Sequence, residues 1–189
     1  MALVVPQTSI DPNPRPYVGS ELRPHWIYEN FHLQGDALVS FAGPVDVQIG
    51  SMVDMADRRD GLFIRGDLMQ HFIYESFGAD LDRAVLLQKL LVLTATEYLT
   101  EKVGTRVTRK GDDVFLDGGK LTVSIATVSM VSCLIHFGVN LVNDGTPLKT
   151  GALGDCGVDG KDFANEVMRR FSNEIKSMSL AATKVRGVQ

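Results

Sequence analysis

A lysine, a cysteine and two histidines carry most of the chemistry this sequence can offer. Lys120 follows the turn Asp117-Gly118-Gly119 and opens a strand pattern. An ammonium there can hold a carbonyl, carboxylate or phosphate oxygen, or it can be a solvated lysine at a hairpin. Cys156 lies in the Gly/Asp-rich stretch 151–160, just ahead of a helical pattern. Loops expose nucleophiles, and the positive end of a helix favours the thiolate. Cys133 sits in an apolar strand pattern and reads as core. His136 and Asn140 share a strand face with Gly138 between them. They can point into a pocket that the glycine leaves open, and a satisfied buried histidine is the plain alternative. His71 and Glu75 share another strand face, as an acid/base pair or as a structural hydrogen bond. Arg58, Arg59 and Arg65 can bind phosphate or carboxylate, although most arginine runs are solvated. No set of His, Asp or Glu has metal-ligand spacing.

The elements that must position these groups follow from periodicity. Four prolines between Pro6 and Pro16 make residues 1–20 an extended arm draped on the surface. Residues 21–189 read as one domain. From Trp26 to Ile49 the alternation predicts strands, interrupted at Gly43-Pro44, with His25 and His32 on a surface strand. Residues 54–61 read as a charged loop, and 62–77 as mixed loop and strand. A helix is predicted from about Leu81 to Val103, with Asp80 as N-cap and Gly104 beyond its end. Its apolar positions Ala84, Leu87, Leu91 and Ala95 recur at helical spacing. Strands then return. Lys120 to Val128 puts Lys120, Thr122, Ser124 and Ala126 on one face, and Val131 to Val142 is the next strand. Asn143 to Pro147 is a turn. A last helix follows Asp159, with Phe163, Val167, Phe171 and Ile175 spaced by four, and the final dozen residues fray. The sum is an α+β, or layered α/β, fold with a mixed, mainly antiparallel sheet packed by helices.

Composition narrows the partners. With 19 Lys plus Arg against 23 Asp plus Glu, the formal charge is −4. That is a poor basis for non-specific nucleic-acid binding. Two cysteines do not make a disulfide scaffold. No signal-peptide pattern opens the chain, and residues 121–142, although apolar, contain serines, His136 and Asn140 that lipid would penalise. The expectation is a cytoplasmic protein without membrane or nucleic-acid partners. The Met-rich stretch near Met52 and Met55 and the sheet edges leave a homodimer open.

Three segments resemble the biotin/lipoate protein ligase and octanoyltransferase superfamily, whose fold is like that of class II aminoacyl-tRNA synthetases. Asp113-Val114-Phe115-Leu116-Asp117-Gly118-Gly119-Lys120 is similar to the strand and turn that lead to the essential lysine of the ligases. Ile135-His136-Phe137-Gly138-Val139-Asn140 resembles the strand that follows it. Gly154-Asp155-Cys156-Gly157 resembles the Pro-Cys-Gly segment of octanoyltransferases, where the cysteine carries the acyl group. The whole chain also looks like a small prokaryotic family of unknown function with a suspected ligase-like fold. The resemblance implies acyl transfer from a small-molecule or acyl-carrier donor through a thioester on Cys156. Lys120 would hold the carbonyl and favour the thiolate, and His136 or His71 would move a proton. His71, Arg58, Arg59, Ser124 and Asn140 would contact the substrate. An alternative is adenylate-forming ligation of a small carboxylic acid, which alone would need ATP and magnesium. Arg58-Arg59-Asp60-Gly61 lacks the glycine run of lipoate ligases, and the Gly-Arg-Gly-Arg loop of biotin ligases is absent. Those gaps favour a third reading, a non-catalytic binding or scaffold protein on the same fold.

Overall fold

The structure, a computed structural model, describes residues 3–143 and 150–188. Among them, five strands form the main sheet in the order β1-β2-β3-β8-β7: β1 (Gln7–Ile10), β2 (Ala37–Val47), β3 (Ile64–Phe77), β7 (Thr122–Val128) and β8 (Ser132–Asn140). All neighbours are antiparallel except β1, which runs parallel to β2. A small sheet joins β4 (Val107–Lys110), β5 (Asp113–Leu116) and β6 (Gly119–Lys120).

The alternation along β3 and β8 divides the main sheet into two faces. Phe72 and Tyr74 on β3, with Ile135, Phe137 and Val139 on β8, pack under two long helices, α3 (Leu81–Val103) and α4 (Gly160–Thr183). Both helices start where the sequence places them. The Asp80 carboxylate accepts the Arg83 N–H, and Asp159 accepts those of Lys161 and Asp162. Helix α4 continues through Thr183, further than expected, because Phe163, Val167, Phe171 and Ile175 anchor one face of it. The buried residues of the small sheet, Val107, Val114 and Leu116, belong to this same core.

The second face carries Met69 and Ile73 with Ala37, Val39 and Phe41, and its cover comes from the N-terminal side. Three expectations change here. The stretch after Trp26 opens as a helical turn, α1 (Trp26–Phe31), flanked by His25 and His32 at positive φ. Both carboxylate oxygens of Glu75 accept the His25 N–H, at 3.1 and 3.0 Å, so a tertiary contact fixes this turn. The arm is also more than a draped tail. It adds β1 to the sheet and buries Tyr17 to 3% exposure. Its passage requires Gly43, because a Cβ there would lie 1.7 Å from the Arg15 carbonyl oxygen. Residues 54–61, read as a loop, contain α2 (Met55–Arg59), whose N-cap Asp54 accepts from Ala56 and Asp57. The turn expected at 143–147 lies largely outside the described residues. Among the described residues, no helix is long and apolar enough to cross a membrane.

Candidate functional site

Strands β3 and β8 pair so that His71 faces Gly138 and Ile73 faces His136. Both histidines therefore point to the second face, where they meet. His71 Nδ1 lies 3.1 Å from His136 Nε2, and His71 Nε2 lies 3.1 Å from the Gly43 carbonyl. A carbonyl only accepts, so His71 Nε2 carries the proton, and its Nδ1 accepts from His136 Nε2–H. Burial pushes His71 down to about 4. His136 is pushed well below the ordinary range, by burial first and by His71 second. The pair is neutral at pH 7. Tyr17 closes it from the arm, with its ring 3.7 Å from the His136 ring at an interplanar angle of 6°. Sequence reasoning missed Tyr17, because nothing local in a proline-rich arm signals a stacking partner 119 positions away.

The expected link between His71 and Glu75 is absent. Glu75 is used by His25 and by the Ser132 hydroxyl, 2.7 Å away. The space left by Gly138 is taken up too: a Cβ there would meet Met69 Cε at 3.0 Å and Val123 Cγ2 at 3.1 Å. Asn140 holds a loop in place. Its Nδ2 donates to the carbonyls of Lys120, at 3.2 Å, and Gly151, at 3.0 Å.

Lys120 does not continue into β7. Buried Leu121 ends β6: its N–H donates to Val114 O and its carbonyl accepts from Asn140 N–H. The chain thus leaves the small sheet and enters the main one, so Lys120 and Ser124 do not share a face as expected. Ser124 lies under α3, where its hydroxyl accepts from Gln88 at 2.8 Å and donates to Asp112 at 3.0 Å. Burial acts to raise the Asp112 carboxyl, but the hydrogen bonds from Lys89 and Ser124 outweigh it and hold the group below its usual range. Ser124 is thereby committed to the α3–β7 contact, away from the histidines.

Lys120 pairs across the hairpin with Phe115, and its ammonium lies 2.9 Å from Asp113 with the side chain 40% exposed. Cross-strand partners share a face, so Lys120, Phe115 and Asp113 point one way, and Val114 and Leu116 point into the core. The segment leading to Cys156 runs beside β6: Thr150 pairs with Lys120 as a parallel bridge, and the Gly151 N–H donates to Lys120 O at 3.0 Å. Cβ atoms added at Gly119 and Gly151 would strike Thr150 and Leu116 respectively. Cys156 packs against the same core, its thiol donating to Leu153 O at 3.2 Å. Its neighbourhood is the β5–β6 turn, where Arg106 pairs with Asp117 at 2.6 Å and reaches Asp155 O at 3.4 Å. The Lys120 ammonium is paired with Asp113 and the Cys156 thiol with the Leu153 carbonyl, so each group has a partner of its own.

The charge of Lys120 reaches α2. The Asp57 carboxyl is raised, by burial first and then by the charge of Asp54, with Lys120 acting in opposition. The last turn of α2 carries Arg58 and Arg59, and Arg59 pairs with Asp60 at 2.9 Å. The same excursion exposes Val53, Met55, Leu62 and Phe63. Lys120 is therefore a half-exposed cation paired with Asp113 and within electrostatic reach of Asp57. Among the described residues, no cluster of three or more His, Cys, Asp or Glu side chains could hold a metal ion.

Known proteins similar to this chain fall into two groups. A protein of unknown function from Pyrococcus horikoshi aligns at a TM-score of 0.90 with 37% identity, over 97% of this chain and 100% of that one. An uncharacterized protein of Methanocaldococcus jannaschii is 32% identical over 84% of this chain and 75% of its own length. At greater distance, the biotin protein ligase from Aquifex aeolicus in complex with biotin and ATP aligns at a TM-score of 0.59 with 15% identity, over 91% of this chain and 71% of that one. Lipoate and biotin protein ligases are its structural neighbours, a likeness of fold. The family described as "Domain of unknown function (DUF366)" matches residues 7–186, and this chain belongs to it.

Proposed function

We propose that the protein binds an acyl group or small carboxylic acid on its ligase-like fold, with Lys120 holding the carbonyl or carboxylate oxygen. One observation carries the reading: the half-exposed Lys120 ammonium, paired with Asp113 and within electrostatic reach of Asp57 on α2. A carboxylate replacing Asp113 as its partner keeps the ion pair, and Leu62, Phe63, Val53 and Met55 offer cover for a hydrocarbon tail. The Aquifex aeolicus ligase holds biotin and ATP on this fold. Asp113 pairs with the lysine and Asp57 lies within its electrostatic reach, so a triphosphate would need magnesium to approach, and adenylate formation is the less favoured use of the site. The reading is tested by calorimetric titration with octanoate, lipoate and biotin. At least one should bind, and Lys120→Ala should weaken that binding about tenfold or more, the effect of one charge-assisted hydrogen bond. Failure of all three acids to bind would count against it.

A second reading is acyl transfer through Cys156. It is favoured by the contrast between the two thiols, since Cys156 is partly exposed and Cys133 is buried. The Cys156 sulfur would attack a thioester carbonyl and expel the donor thiolate, and an acceptor amine or thiol would then take the acyl group. Here Lys120 would act on a different ligand group from the thiol. Intact mass after incubation with octanoyl thioesters tests it, and an adduct that persists in Cys156→Ser would contradict it.

A further inference from the structure

We propose that the open edge of β1 and the neighbouring face of α4 form a docking groove for an extended acidic peptide segment. The groove encloses about 570 Å³ between residues 6–12 on one wall and 161–173 on the other. Strand β1 ends the main sheet. Gln7 and Asp11 donate their N–H groups to Asp36 and Ser40 on the β2 side. By alternation, the N–H and C=O groups of Thr8 and Ile10 point the other way, into the groove. Two residues presenting both groups can exchange four hydrogen bonds with an added strand.

The helical wall suits the same occupant. Lys161, Asn165, Arg169 and Asn173 line the groove at four-residue intervals, about 6 Å apart along α4. Alternate residues of an extended chain recur every 6.4–6.8 Å or so, so successive side chains of a docked strand meet successive side chains of the helix. The charged residues lining the groove are Lys161 and Arg169, in a protein of net charge −4. Arg169 shares Nε and Nη2 with Glu166 and keeps Nη1 available among the described residues. The buried Ser172 hydroxyl, also in this wall, has no partner. Cationic and amide side chains opposite an unpaired strand edge select a segment with acidic residues at alternating positions. Pro6 and Pro12 bound the edge and limit the added strand to a few residues.

The test uses the full chain and two fluorescein-labelled hexapeptides, Thr-Glu-Val-Glu-Val-Glu and Thr-Lys-Val-Lys-Val-Lys, read by anisotropy. The acidic peptide should bind and the basic one should not. The pair Lys161→Glu and Arg169→Glu should weaken binding at least about tenfold. Thr8→Pro, which removes an outward N–H and leaves the β2 pairing intact, should weaken it as well. Amide exchange at Thr8 and Ile10 should slow on binding, a signature that loose charge attraction would not give. Absence of acidic-peptide binding at millimolar concentration, or binding unchanged by the double reversal, would overturn the proposal. So would protection of Thr8 and Ile10 in a peptide-free dimer seen by sedimentation, which would make a second copy the occupant.

Discussion

Gly43→Ala tests how the arm is held over the histidine pair. The added methyl would lie 1.7 Å from Arg15 O and 2.5 Å from Arg15 C, both backbone atoms. The arm cannot slide aside locally. The Arg15 N–H donates to Ala42 O at 2.9 Å, Tyr17 N–H to Pro44 O at 2.9 Å, and Asp46 N–H to Tyr17 O at 3.0 Å. Releasing the arm forfeits these three bonds, at about 0.5–1.5 kcal/mol each. It also uncovers the Tyr17 ring, worth about 1.5–3 kcal/mol. Chain entropy regained by the one to three residues released around Arg15 and Tyr17 offsets about 1–3 kcal/mol of this. The expected destabilisation is about 2–5 kcal/mol in urea unfolding followed by fluorescence of Trp26, with new proteolytic cleavage between residues 11 and 24. Gly50→Ala is the control, since nothing lies within 4 Å of its added Cβ, and it should change stability by less than about 0.5 kcal/mol. A Gly43→Ala protein within about 1 kcal/mol of the parent, with its arm still protected, would show that the close approach at Gly43 does not hold the arm.

The histidine pair predicts acid sensitivity. His71 titrates near 4 when folded and near 6.5 when unfolded, so the unfolded chain binds more protons between those values. The stability contributed by the neutral ring is fully present above about pH 6.5. It is lost as pH falls towards 4, by about 3 kcal/mol for His71 alone, with His136 acting in the same direction. Urea unfolding between pH 7 and 4.5 should show a flatter pH dependence in His71→Gln than in the parent, and equal slopes would contradict the assignment. Asn140→Ala removes the side-chain donor to the Lys120 and Gly151 carbonyls, and Lys120 O keeps the Gly151 N–H. It should cost about 1–3 kcal/mol and speed hydrogen exchange around Gly151. An Asn140→Ala protein with parental stability and exchange would show that this amide does not hold the loop.

Much of the fold was legible where the signal is local. Helices α3 and α4 follow from four-residue apolar spacing and aspartate caps, and β7 and β8 from two-residue alternation on either side of Ser129. The α2 cap was legible as well, since Asp54 precedes Met-Ala-Asp, but the surrounding charges masked it. What could not be read depends on distant partners. The α1 turn is fixed by Glu75, fifty positions away. Lys120 and Ser124 look like neighbours on one strand until Leu121 carries the chain from one sheet to the other. For the same reason the Lys120 and Cys156 motifs, each recognisable alone, gave no sign that Asp113 and Leu153 are the partners of the amine and the thiol. His71 and His136 were singled out individually, but their pairing depends on the β3–β8 register.

An acid or acyl ligand is expected at the Lys120 ammonium and not at the Cys156 thiol. Carbon-13 resonances of the Lys120 side chain and of Cys156 Cβ, followed while octanoate, lipoate or biotin is added, report the two sides separately. The account predicts that the Lys120 Cε signal moves with saturation and the Cys156 Cβ signal stays in place. A saturable shift at Cys156 with Lys120 unmoved would contradict it.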